Sequence, residues 1–183
     1  MHHTLCDYLA EAVQNGFEAG ATLVAVEWVE DAEWIRVTVG DNGRGMDEAA
    51  RKRALDPFCS DGAKHPGRRV GLGLPLLAQT AQAAGGTFEL KSEPGTGTTI
   101  ELTFRAAHVD TPPAGDVAGA VAQWMNLAGA GRTLLFHRRT PRGGYRTDSA
   151  ELGEAAGGLE TAAGFLLARG YLAAQEAALR GDD

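Results

Sequence analysis

Apolar and polar positions alternate along this chain with two different periods. Leu5, Leu9, Ala12, Val13 and Phe17 recur at helical spacing behind Thr4 as a cap, which predicts a helix to about residue 17. Gly16 and Gly20 bracket its end. The period then drops to two. Residues 23–30 (LVAVEWVE) and 34–39 (WIRVTV) read as half-buried strands of one antiparallel hairpin turned at Asp31 and Ala32. Asp47 caps a short helix to about residue 55. Residues 56–73 hold Pro57, Pro66, Gly62, Gly67, Gly71 and Gly73 among Lys64, Arg68 and Arg69, the composition of a long functional lid. Pro75 suits the first turn of a helix over 74–84, ended by Gly85 and Gly86. Residues 88–92 and 98–104 read as strands joined by Glu93-Pro94-Gly95-Thr96-Gly97.

Residues 106–115 (AAHVDTPPAG) read as a linker, after which Ala, Gly and Leu dominate. Asp116 caps a helix to about residue 128, with Trp124 and Met125 as core. Residues 132–139 and 145–147 pair around Pro141-Arg142-Gly143-Gly144. A short helix starts at Asp148 or Ser149, and a longer one spans 159–179. Its stripe of Leu159, Ala162, Ala163, Leu166, Leu167 and Tyr171 suits packing on this chain by default, or on a partner. The basic run 137–142 reads as a solvated hairpin tip, with an acidic partner as the alternative. The domain division expected is therefore 1–105, a linker 106–115, and an α+β unit 116–183.

With 183 residues, 44% hydrophobic and 22% charged, the chain can bury a core in one domain of about 100 residues plus a smaller unit. No apolar run approaches the roughly 20 residues of a membrane span, and no secretory signal is legible at the start. A net charge of −7 offers no bulk attraction to phosphate backbones, which disfavours nucleic acid as a partner. Cys6 and Cys59 form neither a disulfide framework nor a metal-ligand pair, which fits a reducing cytoplasm.

Three motifs carry candidate chemistry. Glu11 and Asn15 are four apart and share a helical face, where a carboxylate and an amide can hold a water and a hydrated Mg²⁺. Asp41-Asn42-Gly43-Arg44-Gly45-Met46 follows a strand directly. A carboxylate there can accept from an exocyclic amine, and the glycines let a flat base approach the backbone. Gly71-Leu72-Gly73-Leu74-Pro75 enters a helix whose backbone N–H groups suit phosphate. Neither the dinucleotide GxGxxG nor the GxxxxGK[ST] pattern occurs. Each motif alone is weak; their order and spacing raise the signal.

Residues 4–105 resemble the GHKL ATPase superfamily of gyrase-type topoisomerases, Hsp90-type chaperones, histidine kinases and mismatch-repair ATPases. EAVQNGFEAGA is similar to its N box, VGDNGRGM to its G1 box, DPF at 56–58 to the F box of histidine kinases, and GLGLPLL to its G2 box. SEPGTGTTIELTF resembles the terminal strand pair. The resemblance implies a Bergerat-type α/β two-layer sandwich: a mixed, largely antiparallel sheet with helices on one face, here followed by a small α+β appendage. It implies ATP and Mg²⁺ as ligands. Asn15 would hold the metal, and Asp41, supported by Thr98, would take the adenine amino group. Gly43 and Gly45 would leave room for the ring, and Met46 would pack on the base. Gly71, Leu72, Gly73 and Leu74, with Arg69, would meet the phosphates. Glu11 stands where hydrolytic members and anti-sigma serine kinases place a general base, whereas typical histidine kinases have asparagine. The departures are Glu18 in place of the usual aspartate, no strand before the N box, no preceding dimerisation helix pair with its histidine, and no downstream transducer domain.

The function this implies is a stand-alone, Mg-ATP-dependent kinase-like protein or slow ATPase, switching a protein partner. A non-catalytic ATP-gated regulator of the anti-sigma type is one alternative, and a DNA-repair or topoisomerase-like fragment another. The C-terminal unit is the expected contact for that partner or for a second copy in a homodimer.

Overall fold

The computed structural model describes residues 4–57 and 73–181. Helix α1 (Leu5–Glu18) opens with a capping box: Asp7 N–H donates to the Thr4 hydroxyl, and Thr4 N–H to the Asp7 carboxylate. Strands β1 (Leu23–Glu30) and β2 (Trp34–Asp41) form the expected hairpin. Helices α2 (Glu48–Ala54) and α3 (Gly73–Ala83) follow, then β3 (Phe88–Glu93) and β4 (Gly97–Arg105). After residues 106–116 come α4 (Val117–Ala128), β5 (Thr133–Thr140), β6 (Gly143–Asp148), α5 (Ser149–Ala156) and α6 (Ala162–Arg180).

All six strands join one sheet in the order β3-β4-β2-β1-β5-β6. Every pairing is antiparallel except β1 with β5. This parallel contact brings the C-terminal segment onto the sheet, so the flank of β1 away from β2 is covered by a strand from more than 100 residues downstream. The alternation read in the sequence sets which face is dry. Trp28, Val37, Val39, Ile100, Leu102, Phe104, Leu134 and Phe136 are buried beneath the helices. Glu27, Thr38, Glu101 and His137 stand in register on the opposite face. Helix α3 lies over β3 and β4, α1 over β1 and β2, α4 over β5, and α5 and α6 over β6. Cys6 belongs to this core, and burial, reinforced by the Asp7 carboxylate, pushes its thiol up to about 12.

Two sequence readings change. The buried stripe of α6 is Gly164, Ala168, Leu172 and Glu176, while Leu166 and Leu167 are 64% and 63% exposed. The helix is apolar on most of its circumference, so periodicity offered two stripes. Gly164 is buried against the backbone of Gly158, where a side chain would clash, and the helix packs along α4. The run 137–142 is not wholly solvated either: Arg138 is buried on β5 beside Glu30 and Glu176.

Candidate functional site

The floor of the site is a row of polar residues set by strand register. Ser92 on β3 faces Thr98 on β4, which faces Asp41 at the end of β2. Strand parity turns all three toward the helices, because Leu90, Ile100 and Val39, two positions away, are buried there. One step further the same row turns apolar, with Val24 on β1 and Leu134 on β5.

The loop after β2 is tied on three sides. Asn42 Oδ1 accepts from the N–H groups of Thr22 and Leu23, both at 2.9 Å. Arg44 N–H donates to Ala19 O at the end of α1, and Arg44 O accepts from Gly95 N–H in the β3–β4 turn. Gly43 N–H donates to Asp41 Oδ1 at 2.8 Å, which fixes the carboxylate and directs its second oxygen elsewhere. Space is tight. A Cβ on Gly43 would stand 2.9 Å from Asp41 Oδ1 and 2.9 Å from Ala19 Cβ. Gly45 has φ +64, and a Cβ there would sit 1.9 Å from Glu93 O.

Ser92 was not singled out from the sequence, yet it is the hub of this floor. Its hydroxyl accepts from Met46 N–H, donates to Gly97 O, and pairs with the Thr98 hydroxyl, each at 2.9 Å. A serine has one hydroxyl hydrogen. Ser92 commits it to Gly97 O, so Thr98 must donate to Ser92, and Thr98 Oγ1 presents only lone pairs to the site. Asp41 does the same. The floor is therefore an acceptor surface, matched to an amine rather than a carbonyl. The sequence signal was a lone polar residue at an inward strand position. Replacing Ser92 by Ala should cost about 1–3 kcal/mol of stability, because Met46 N–H and Gly97 O lose their shared partner. Urea unfolding would measure it, and a loss below about 0.5 kcal/mol would remove Ser92 as the hub.

The wall is α1. Glu11 and Asn15 lie exposed on the same face, one turn apart. Gly16, beside Asn15, packs over the floor: a Cβ there would be 3.1 Å from Asp41 Cβ. Glu11 meets the first residue of α3, where a Cβ on Gly73 would lie 1.8 Å from Glu11 Oε2. The first and third motifs thus touch at one point, which spacing alone could not reveal. Leu74 is half-buried in the first turn of α3 and packs on the core, as does Met46. Arg69, Gly71 and Leu72 lie outside the described residues, as do Lys64, Arg68, His65, Cys59 and Phe58. Among the described residues no group of three His, Cys, Asp or Glu side chains could hold a metal alone. A single amide ligand such as Asn15 fits Mg²⁺ that arrives with phosphate oxygens and waters.

Comparison with known proteins agrees with the fold. Residues 2–108 match the family model described as histidine kinase-, DNA gyrase B- and HSP90-like ATPase. The chain is 38% identical over 95 residues to the sensor-type histidine kinase PrrB of Mycobacterium tuberculosis, covering 51% of this chain and 20% of that protein. It is 33% identical over 123 residues to the virulence sensor protein BvgS of Bordetella bronchiseptica, covering 62% and 10%. It is 32% identical over 127 residues to the sensor histidine kinase AruS of Pseudomonas aeruginosa, covering 64% and 13%. The chain thus spans a small part of the curated relatives it matches. A solved structure described as the N-terminal domain of a DNA repair protein superposes with a TM-score of 0.52 at 14% identity, covering 88% of this chain and 58% of that one. That likeness is one of fold.

Proposed function

The chain belongs to the histidine kinase-, DNA gyrase B- and HSP90-like ATPase family, and from that premise we propose that it binds Mg-ATP and acts on the γ-phosphate, as a kinase-like protein or a slow ATPase that switches a protein partner. The observation that carries this reading is the placement of Glu11 against Gly73, between the wall of the site and the start of α3. Mg-ATP, when bound, supplies an electrophilic γ-phosphoryl group. Asp41 and Thr98 accept from the adenine amine. Gly43 and Gly45 leave room for the ring, beside Met46. At the positive end of α3 the N–H groups of Gly73 and Leu74 would take the phosphates, and Arg69, Gly71 and Leu72 are expected to join them. Asn15 contributes its amide oxygen to Mg²⁺. Glu11, within reach of that helix end, accepts a proton from the water or hydroxyl that attacks.

Glu11→Gln tests this directly. The amide keeps the shape and loses the base. Nucleotide affinity by calorimetry should stay within about twofold, while phosphate release or transfer falls at least about 100-fold. Unchanged turnover would remove Glu11 from the chemistry.

The exposed Leu166, Leu167 and Tyr171 on α6 favour a second reading, a non-catalytic ATP-gated regulator that grips its target through that helix. It predicts a partner whose affinity depends on ATP and which never becomes phosphorylated.

A further inference from the structure

Among the described strands, β6 ends the sheet on the side away from β3. Gly143 and Gly144 are both exposed, and a glycine exposes only main chain. Among the described residues, no main-chain hydrogen bond ties residues 143–146 to any segment but β5. Such an edge is a template for another strand. Its side chains select what can pair there. Tyr145 is buried beneath the helices, so Arg146 points to the opposite face, in register with His137. Arg139 shares that face, and its register partner is Gly144. Arg139 and Arg146 are thus diagonal neighbours, both exposed. Among the described residues, neither guanidinium has an ion pair or a hydrogen bond. A recess of about 500 Å³ lies at this hairpin. Its lining includes His137, Arg139, Gly144 and Arg146, and contains no carboxylate. Glu27 and Asp148, on the same face, are engaged elsewhere. Glu27 stands 3.2 Å from His137 Nδ1, and Asp148 Oδ1 accepts from the N–H groups of Ala150 and Glu151, both at 2.8 Å.

We propose that an extended acidic segment of a partner protein adds to β6, lengthening the sheet by one strand. Main-chain bonds along the open edge would hold it, and carboxylates at alternate positions would lie on the arginine face. One meets Arg146 directly across. The next stands opposite Gly144, where no side chain screens Arg139 behind it. A second copy of β6, paired antiparallel about its middle, would bring arginine toward arginine. A nucleic acid cannot return the main-chain bonds, and a net charge of −7 repels a long polyanion. Strands β1 and β5 separate this edge from β2, which carries Asp41, so the docking holds whichever way ATP is used.

The test uses the whole chain, ¹⁵N-labelled, with the end-blocked peptide TETETET as the probe. The amide resonances of Gly144 and Arg146 should shift saturably, and affinity should fall as salt rises. Arg146→Glu should weaken TETETET at least about tenfold and create binding of TKTKTKT, with the Mg-ATP titration unchanged. Arg139→Gln, a milder change, should weaken TETETET about threefold. Methylating the peptide's glutamate nitrogens, or its threonine nitrogens, strips N–H donors from one edge at a time, and one of the two should abolish binding. No saturable shift at β6, full binding by both methylated peptides, or affinity indifferent to Arg146→Glu would overturn the proposal. So would an oligothymidylate that binds this hairpin tighter than the peptide, which would assign it to nucleic acid.

Discussion

Asp41→Asn is expected to weaken Mg-ATP binding at least about 100-fold while the chain stays folded. The argument rests on which atom faces the ligand. Gly43 N–H donates to Asp41 Oδ1, and this bond must survive if the loop is to keep its path. In the variant, the single amide oxygen takes that role. The amide nitrogen then points where the second carboxylate oxygen stood, a donor toward a donor. The nucleotide loses a charge-assisted bond of about 1.5–3 kcal/mol and meets an unsatisfied pair besides. Thr98 Oγ1 offers only lone pairs and cannot compensate, since its hydrogen serves Ser92. Calorimetric titration of both proteins with Mg-ATP decides the matter. Equal affinities would mean that Asp41 does not read the base.

Gly97→Ala should have the largest effect on stability, at least about 3 kcal/mol, with a fall in Tm on the order of 10 °C. Gly97 has φ +115, where side-chain-bearing residues are strained. A Cβ there would lie 1.9 Å from Asp41 O and 2.9 Å from Asn42 Cα, so the backbone of the neighbouring loop must move. That loop carries Asp41 and Gly43, and Gly97 O is also the acceptor of Ser92. Destabilisation and loss of nucleotide affinity should therefore appear together. Gly95→Ala, in the same turn with φ +77 but open space around it, provides the control and should cost only about 1 kcal/mol. Thermal unfolding of the two variants would show comparable losses if backbone strain alone mattered.

The site was partly legible because some of its constraints are local. Asp41, Gly43 and Gly45 fall within five residues at the end of a strand, and their types state the need for a carboxylate and for bare backbone. Glu11 and Asn15 declare a shared face by their spacing of four. Ser92 escaped notice because its importance lies in three bonds to segments 46 residues before it and up to six after. No periodicity encodes such bonds.

Elements with local codes follow from residue types alone: the capping box at Thr4, the alternating strands of β1 and β2, the glycine turns, and the ordered motifs that mark the ATPase family. Where those pieces meet depends on long-range packing. Residues 133–140 alternate in the same way whether they form a separate hairpin or a parallel partner for β1, and the structure places them beside β1. Arg138 reads as a surface charge until that pairing carries it under α6, beside Glu30 and Glu176. Glu11 and Gly73 meet through the packing of α1 against α3. Side-chain type and short spacing set local conformation, whereas burial and charge pairing depend on contacts across the whole chain.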